Sequence, residues 1–338
     1  MEKSTFTFKD LLEKSNEYWI SKAQGYISSR IHAKVNDNFA KNVIMFLGDG
    51  MNFATIAATR NYMASEETQL SFEKFPHVGL SKPYCVDRQV ADSACTSTAY
   101  LNGVKGNYAT IGVNAKVQRF NCSAQADEEN FTESIARWAQ KSCKGTGIVT
   151  TTRITHASPA GAYAHSSNRY WENDYELELS NCDSTKYNDI AKQLVYNVEG
   201  KNFKVILGGG RGGFRNQTVQ DEEGRNGFRI DGRDLIDEWN TERKKMGNAA
   251  YVWNKSGLKN IDFESTDYLM GLFEQDHMKF NMDVVNKNLQ HEEPSLADMT
   301  EAAIKILHKE KNGYFLFVEG GMIDQAHVSH VKHFHNYI

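Results

Sequence analysis

The stretch NVIMFLGDG, residues 42–50, sets five apolar residues in a row, stops at Gly48 and then places Asp49. An unbroken apolar run bounded by glycine reads as a strand buried on both faces, the kind found in parallel sheets. The same pattern recurs in GIVTTT (147–152), KVILGGG (204–210) and GYFLFVEGG (313–321). Between these runs lie helical patterns: residues 8–31 with Leu11, Leu12, Tyr18, Trp19 and Ile20 on the apolar face, a segment from Phe53, TESIARWAQ (132–140), RDLIDEWNTERKK (233–245) and SLADMTEAAIKILHK (295–309). Alternating strands and helices predict a three-layer α/β/α fold around a central, mainly parallel sheet. Residues 212–228, rich in Gly, Asn, Asp and Glu, read as an excursion from it.

Composition narrows the function. The chain has 338 residues, 40% hydrophobic and 24% charged, with only four prolines, values of a folded globular protein. A net charge of -4 without a long basic run gives no reason to expect nucleic acid or an anionic membrane, and favours a small-molecule partner. The longest apolar run, VIMFLG, falls far short of the roughly 20 residues of a membrane helix. The first residues lack the apolar core of a signal peptide, and VKHFHNYI lacks an anchor-type tail. Yet sequons at Asn121, Asn130, Asn216 and Asn254 point to a secreted chain. Five cysteines without C-x-x-C spacing argue against a thiolate zinc site and leave at least one thiol unpaired within the chain.

Polar residues gather where the apolar strands end: Asp49, Thr150–Thr152 leading to His156 and Ser158, and Glu319. Ligands of open α/β sheets bind beyond the carboxyl ends of the strands, so these oxygens are expected to converge, and hard oxygen donors suit magnesium or the harder side of zinc chemistry. In VADSACTSTAYLNG (90–103), Asp92 is a good N-cap, and it places Ser93 in the first turn of a helix, where unpaired N–H groups favour an alkoxide or phosphate. No G-x-S-x-G elbow surrounds Ser93, so activation by metal fits better than a serine-hydrolase triad. Arg169 in AHSSNRYW (164–171) offers a guanidinium fork for phosphate oxygens. LGGGR (207–211) lacks a nucleotide-loop pattern and reads as a tight turn. Asp324, His327 and His330 near the end are either ligands for a softer metal or solvated side chains.

Taken together, NVIMFLGDGM, FPHVGLSK, DSACTSTAYLNGVKGNYATIGVNA, VTTTRITHASPAGAYAHSSNRYW, VILGGGR, YVWNKS, LMGLFE and FLFVEGGMID resemble the alkaline phosphatases, especially the animal tissue and membrane-bound kind, from about residue 10 to His327. The resemblance implies a phosphomonoesterase with two zinc ions and one magnesium, working through a phosphoserine on Ser93. It also implies that Asp49 bridges magnesium and one zinc, that Ser158 and Glu319 complete the magnesium ligands with His156 nearby, that Arg169 holds phosphate, and that Asp324 binds the other zinc. A calcium site would fall on Phe273, Glu274, Glu293 and Glu222, and a disulfide on Cys122 and Cys182. Family members form homodimers and are anchored at the cell surface by glycosylphosphatidylinositol.

Two departures from the pattern shape the remaining expectations. The position four residues after Asp324, a histidine zinc ligand in the family, is Val328, and His327 lies one residue early. The family's later Asp-His pair and final histidine have no counterpart in these 338 residues. The reading is therefore a single incomplete domain, family-like over 10–327 with a divergent tail at 328–338, whose zinc sites are short of ligands. Its rivals are a phosphatase-like binding protein without turnover and an unstable fragment.

Overall fold

The computed structural model describes residues 12, 14–32, 34 and 36–329. Leu11 and His330, both singled out above, lie outside the described residues, as does most of the expected tail. The chain divides into two compact units, the first ending at Ala40 and the second beginning at Lys41.

In the first unit the expected helix is present as Asn16–Ile31. Ser15 caps it, its side chain accepting from the Tyr18 N–H at 3.1 Å, and residues 8–11 and 13 of the expected helix lie outside the described residues. Trp19, Ile20, Tyr26 and Ile27 are exposed along it.

In the second unit six strands form one sheet, β1 (Val43–Gly48), β2 (Gly145–Arg153), β3 (Val205–Gly209), β4 (Ala249–Val252), β5 (Tyr268–Leu272) and β6 (Tyr314–Gly320), in the order β1-β6-β2-β3-β5-β4. Every neighbouring pair is parallel. Four of these strands are the apolar runs of the sequence. β4 (AAYV) and β5 (YLMGL) carry a single β-branched residue between them, so their pattern does not stand out as strand.

Side chains alternate across β6 as a strand's period of two requires. Phe315 and Phe317 join a core with Ile148, Ile206, Met270, Leu101, Ile190 and Trp239. Leu316 and Val318 face the other way, onto Val149, Leu207, Leu269 and the helix Leu296–Leu307 through Met299, Ala303 and Leu307. That helix opens on a capping box in which Ser295 and Asp298 each accept from the other's backbone N–H. Helical layers on both faces bury the sheet centre, while β1, at the edge, leaves Phe46 64% exposed.

Disulfides join Cys122 to Cys182, as the resemblance implies, and Cys85 to Cys95; Cys143 is the free, exposed thiol. The excursion after β3 is held by Arg211, fully buried, whose guanidinium pairs with Asp221 and Glu223. Because Phe317 is fully buried in the core under β6 and stacks near Tyr100, Phe317→Ala is expected to cost about 3–5 kcal/mol of stability, read by urea denaturation.

Candidate functional site

The parallel register decides which side chains can meet. Leu47 pairs with Glu319, Gly48 with Gly320, and Thr150 with Glu319, so β1, β6 and β2 deliver their carboxyl ends to one level. Asp49 follows β1 directly, and a ligand atom of Asp49, of His156 and of Glu319 all lie within 4.8 Å of one another. The convergence expected of strand ends is therefore present, and it draws in His156 more closely than the sequence suggested. Thr150 donates to Glu319 Oε2 at 2.5 Å and Thr152 at 3.2 Å, while Oε1, fully buried, has no hydrogen-bond partner among the described residues.

Ser93 opens the helix Ser93–Asn102, capped by Asp92, which accepts from the N–H groups of Ala94 and Cys95. The Ser93 hydroxyl lies 3.2 Å and 3.1 Å from the two oxygens of Asp49, and Ser158 donates to Asp49 Oδ2 at 3.3 Å. Arg169 donates through Nη1 to Asp92 at 3.0 Å, and its Nη2 lies 3.0 Å from His156 Nε2. A guanidinium can only donate, so His156 Nε2 is the acceptor and the proton of the neutral ring sits on Nδ1. That Nδ1 is buried with no hydrogen-bond partner among the described residues.

Burial raises the pKa of Asp49, and the nearby Asp324 adds to it, against the stabilising hydroxyl of Ser93. Burial pushes Glu319 up to about 7, opposed by Thr150 and reinforced by Asp49. His156 is held well below its usual range by burial and then by the charge of Arg169, so it is neutral at physiological pH. The site thus holds two carboxyls in want of positive charge, one neutral imidazole and serine hydroxyls.

Asp324 stands against Gly50. A Cβ on Gly50 would come within 2.5 Å of Asp324 Oδ1, and φ there is +65°, so glycine is the residue that lets the two segments meet. His327 lies on the same short helix, Met322–Ser329, with Nε2 3.2 Å from Thr55 Oγ1. Elsewhere, Lys279 pairs with both Glu274 and Glu293, which are nearly buried, whereas Glu222 pairs with Arg215. Phe273 is buried beside Glu274. Of the sequon asparagines, Asn121 is exposed, Asn216 and Asn254 are half-buried, and Asn130 is 7% exposed with its amide donating to Ala124 O.

Sequence reasoning missed a group behind His156. Arg153 forks onto Glu172 at 2.8 and 2.7 Å and reaches Asp276 at 2.6 Å, and the ring of His277 stands edge-on to His156 at 5.1 Å. It also missed the Cys85–Cys95 bridge, for which a signal existed: two cysteines ten apart that enclose the Asp92–Ser93 pair.

An open parallel α/β sheet with a serine, carboxylates, an imidazole and an arginine at its carboxyl edge defines a hydrolase-like, anion- and metal-accepting class of site. The comparisons resolve the class: the alkaline phosphatase family profile matches residues 40–335, and the chain belongs to that family. It is 45% identical over 332 residues to a membrane-bound alkaline phosphatase of Bombyx mori, covering 95% of this chain and 60% of that protein. It is 42% identical over 327 residues to the tissue-nonspecific isozyme of Homo sapiens, covering 93% and 61%. The chain thus spans about 60% of the length of the curated relatives it matches. The alkaline phosphatase of Thermus thermophilus shares the fold, with a TM-score of 0.65 at 24% identity, over 86% of this chain and 51% of that one. Among the described residues, no helix is long and apolar enough to cross a membrane.

The Glu319 carboxyl has a pH signature. Its folded pKa of about 7 lies above the ordinary 4.5, so the folded state binds the proton more tightly, and this contribution to stability is present at low pH and lost as pH rises from 4.5 through 7. In protein dialysed against EDTA the loss should approach about 3 kcal/mol, and Glu319→Gln should reduce the slope. Asp49 has the same sign, so some slope should remain. Chemical denaturation at pH 4.5 and 8.5 measures it.

Proposed function

We propose that this protein hydrolyses phosphomonoesters through a phosphoserine on Ser93. The observation that carries the reading is the Ser93 hydroxyl lying on both oxygens of Asp49 at the first turn of a helix, beside an arginine held in place by Asp92. The Ser93 oxygen attacks phosphorus, the ester P–O bond breaks, and the alcohol leaves with a proton. Water then cleaves the phosphoserine, releasing inorganic phosphate and regenerating the hydroxyl. Arg169 uses one N–H on Asp92 and one on His156, which leaves its other donors for the phosphate oxygens.

The donor set fits metal. Glu319 Oε1 is buried without a partner among the described residues, burial raises the pKa of both Asp49 and Glu319, and the neutral His156 lies in the same cluster. Asp49, Ser158 and Glu319 would suit magnesium, and Asp49 with Ser93 would serve one zinc, whereas Asp324 would offer a carboxylate to a second for which these residues supply fewer than the three protein ligands of a catalytic zinc. Bound there, the ions supply the positive charge that activates a serine hydroxyl and stabilises the leaving oxygen. The calcium that the resemblance implies at Phe273, Glu274, Glu293 and Glu222 does not fit as directly, because Lys279 pairs with Glu274 and Glu293, and Arg215 with Glu222. Two disulfides and the sequons support an extracellular or cell-surface setting, and homodimer formation and glycosylphosphatidylinositol anchoring extend the family resemblance. The alternatives of a binding protein without turnover and of an unstable fragment find no support in the comparisons.

The test is covalent. Protein incubated with inorganic phosphate at acidic pH and quenched should carry phosphate on the Ser93 peptide, and Ser93→Ala should remove it. Undiminished phosphorylation of the variant would exclude Ser93 as the nucleophile.

A further inference from the structure

Beside Arg169 the surface carries a cluster of aromatic rings that phosphate chemistry does not use. Tyr170 is 53% exposed, Phe120 52% and Tyr108 37%. All three gather around one cation: the guanidinium carbon of Arg119 lies 4.5 Å from the centroid of Phe120, 5.7 Å from Tyr170 and 5.9 Å from Tyr108. Arg119 is tethered in turn by donating Nε–H to Asn168 Oδ1 at 3.3 Å. Arg169 itself lies 5.7 Å from the Tyr170 ring, so the arginine aimed at phosphate and the aromatic cluster share an edge.

The backbone is bent to hold this arrangement. Ala109, next to Tyr108, has φ +62°, and Phe120 has φ +67°, a left-handed conformation that a bulky side chain rarely adopts. Both are pinned to the segment carrying Arg169: the Arg169 N–H donates to Ala109 O at 2.8 Å and the Phe120 N–H to Ser167 O at 3.1 Å. The fold thus holds two costly backbone conformations in order to keep solvent-exposed rings next to the anion-binding side chain.

Resting on the phosphomonoesterase reading, the geometry points to Tyr170 and Arg119 as a platform for the leaving group, selecting phosphomonoesters whose alcohol carries a flat aromatic ring. With phosphate on Arg169, such a ring reaches the face of Tyr170, and the guanidinium plane of Arg119 offers a second stacking surface. An aliphatic leaving group has no comparable partner there and projects into solvent. Tyr170 touches the ester's alcohol portion and sets specificity; it takes no part in bond breaking.

The experiment compares 1-naphthyl phosphate with glycerol phosphate as substrates for the purified protein, and phenylphosphonate with methylphosphonate as ligands in calorimetry. Tyr170→Ala and Arg119→Ala should each lower kcat/KM for naphthyl phosphate about three- to tenfold, through KM, while glycerol phosphate changes less than twofold. Tyr170→Phe should retain the selectivity, and phenylphosphonate should lose its advantage over methylphosphonate in Tyr170→Ala. Parallel changes for both esters in the variants, or equal binding of the two phosphonates by the unaltered protein, would overturn the platform. Absence of turnover on either ester, with the phosphonate preference intact and sensitive to Tyr170→Ala, would overturn the phosphatase reading and leave the platform standing.

Discussion

A carboxyl group sealed from water either keeps its proton or finds positive charge. Glu319 is fully buried at the end of strand β6, with one oxygen satisfied by the hydroxyls of Thr150 and Thr152 and the other without a partner among the described residues. A hydrophobic isostere there would remove the desolvation cost, so the folding of this core does not explain the residue. Its cost makes sense only if a charged group completes it. The rest of the site is arranged around that demand: Asp49 from β1 adds a second carboxyl, His156 a neutral nitrogen, and Ser158 a hydroxyl.

Topology is what makes the convergence inexpensive. β6 lies between β1 and β2 in the sheet although it is the last of the six in the chain, so the pairs that bring Asp49 and Thr150 to Glu319 are separated by well over a hundred residues. Once the apolar faces of these strands are buried, register alone sets the strand ends level. No additional loop has to be ordered to bring the carboxyls of Asp49 and Glu319 together. Packing energy from Phe317, Leu316 and Val318 on both faces therefore also fixes the distance between carboxylates just beyond them.

The legible and illegible parts of the sequence divide along the same line. β2, β3 and β6 are doubly buried and β1 lies half-buried at the edge, yet all four read as apolar runs, and the polar residues at their ends, Asp49, Thr150 and Glu319, could be placed at one edge by a general property of parallel sheets. β4 and β5 carry a single β-branched residue between them, so their pattern says little. His277 and Glu172 escaped notice because nothing local marks them: they reach His156 and Arg153 only through tertiary packing. Ser93 was legible as a helix start from Asp92, but its proximity to Asp49, 44 residues away, belongs to the folded chain.

Asp92 shows why Ser93 and Arg169 form one unit. Its carboxylate accepts from Ala94 and Cys95 at the start of the Ser93 helix, from the Ala109 N–H at 3.0 Å, and from Arg169 at 3.0 Å. The helix that presents Ser93, the segment beside Tyr108 and the guanidinium of Arg169 therefore share a single anchor. The Cys85–Cys95 bridge closes a covalent loop around that anchor, so the segment bearing Asp92 and Ser93 is tied at both ends. Groups that share a hydrogen-bonding partner do not contribute additively. A change at Asp92 displaces serine and arginine together, and the placement of the pair depends less on either side chain alone than on the carboxylate between them.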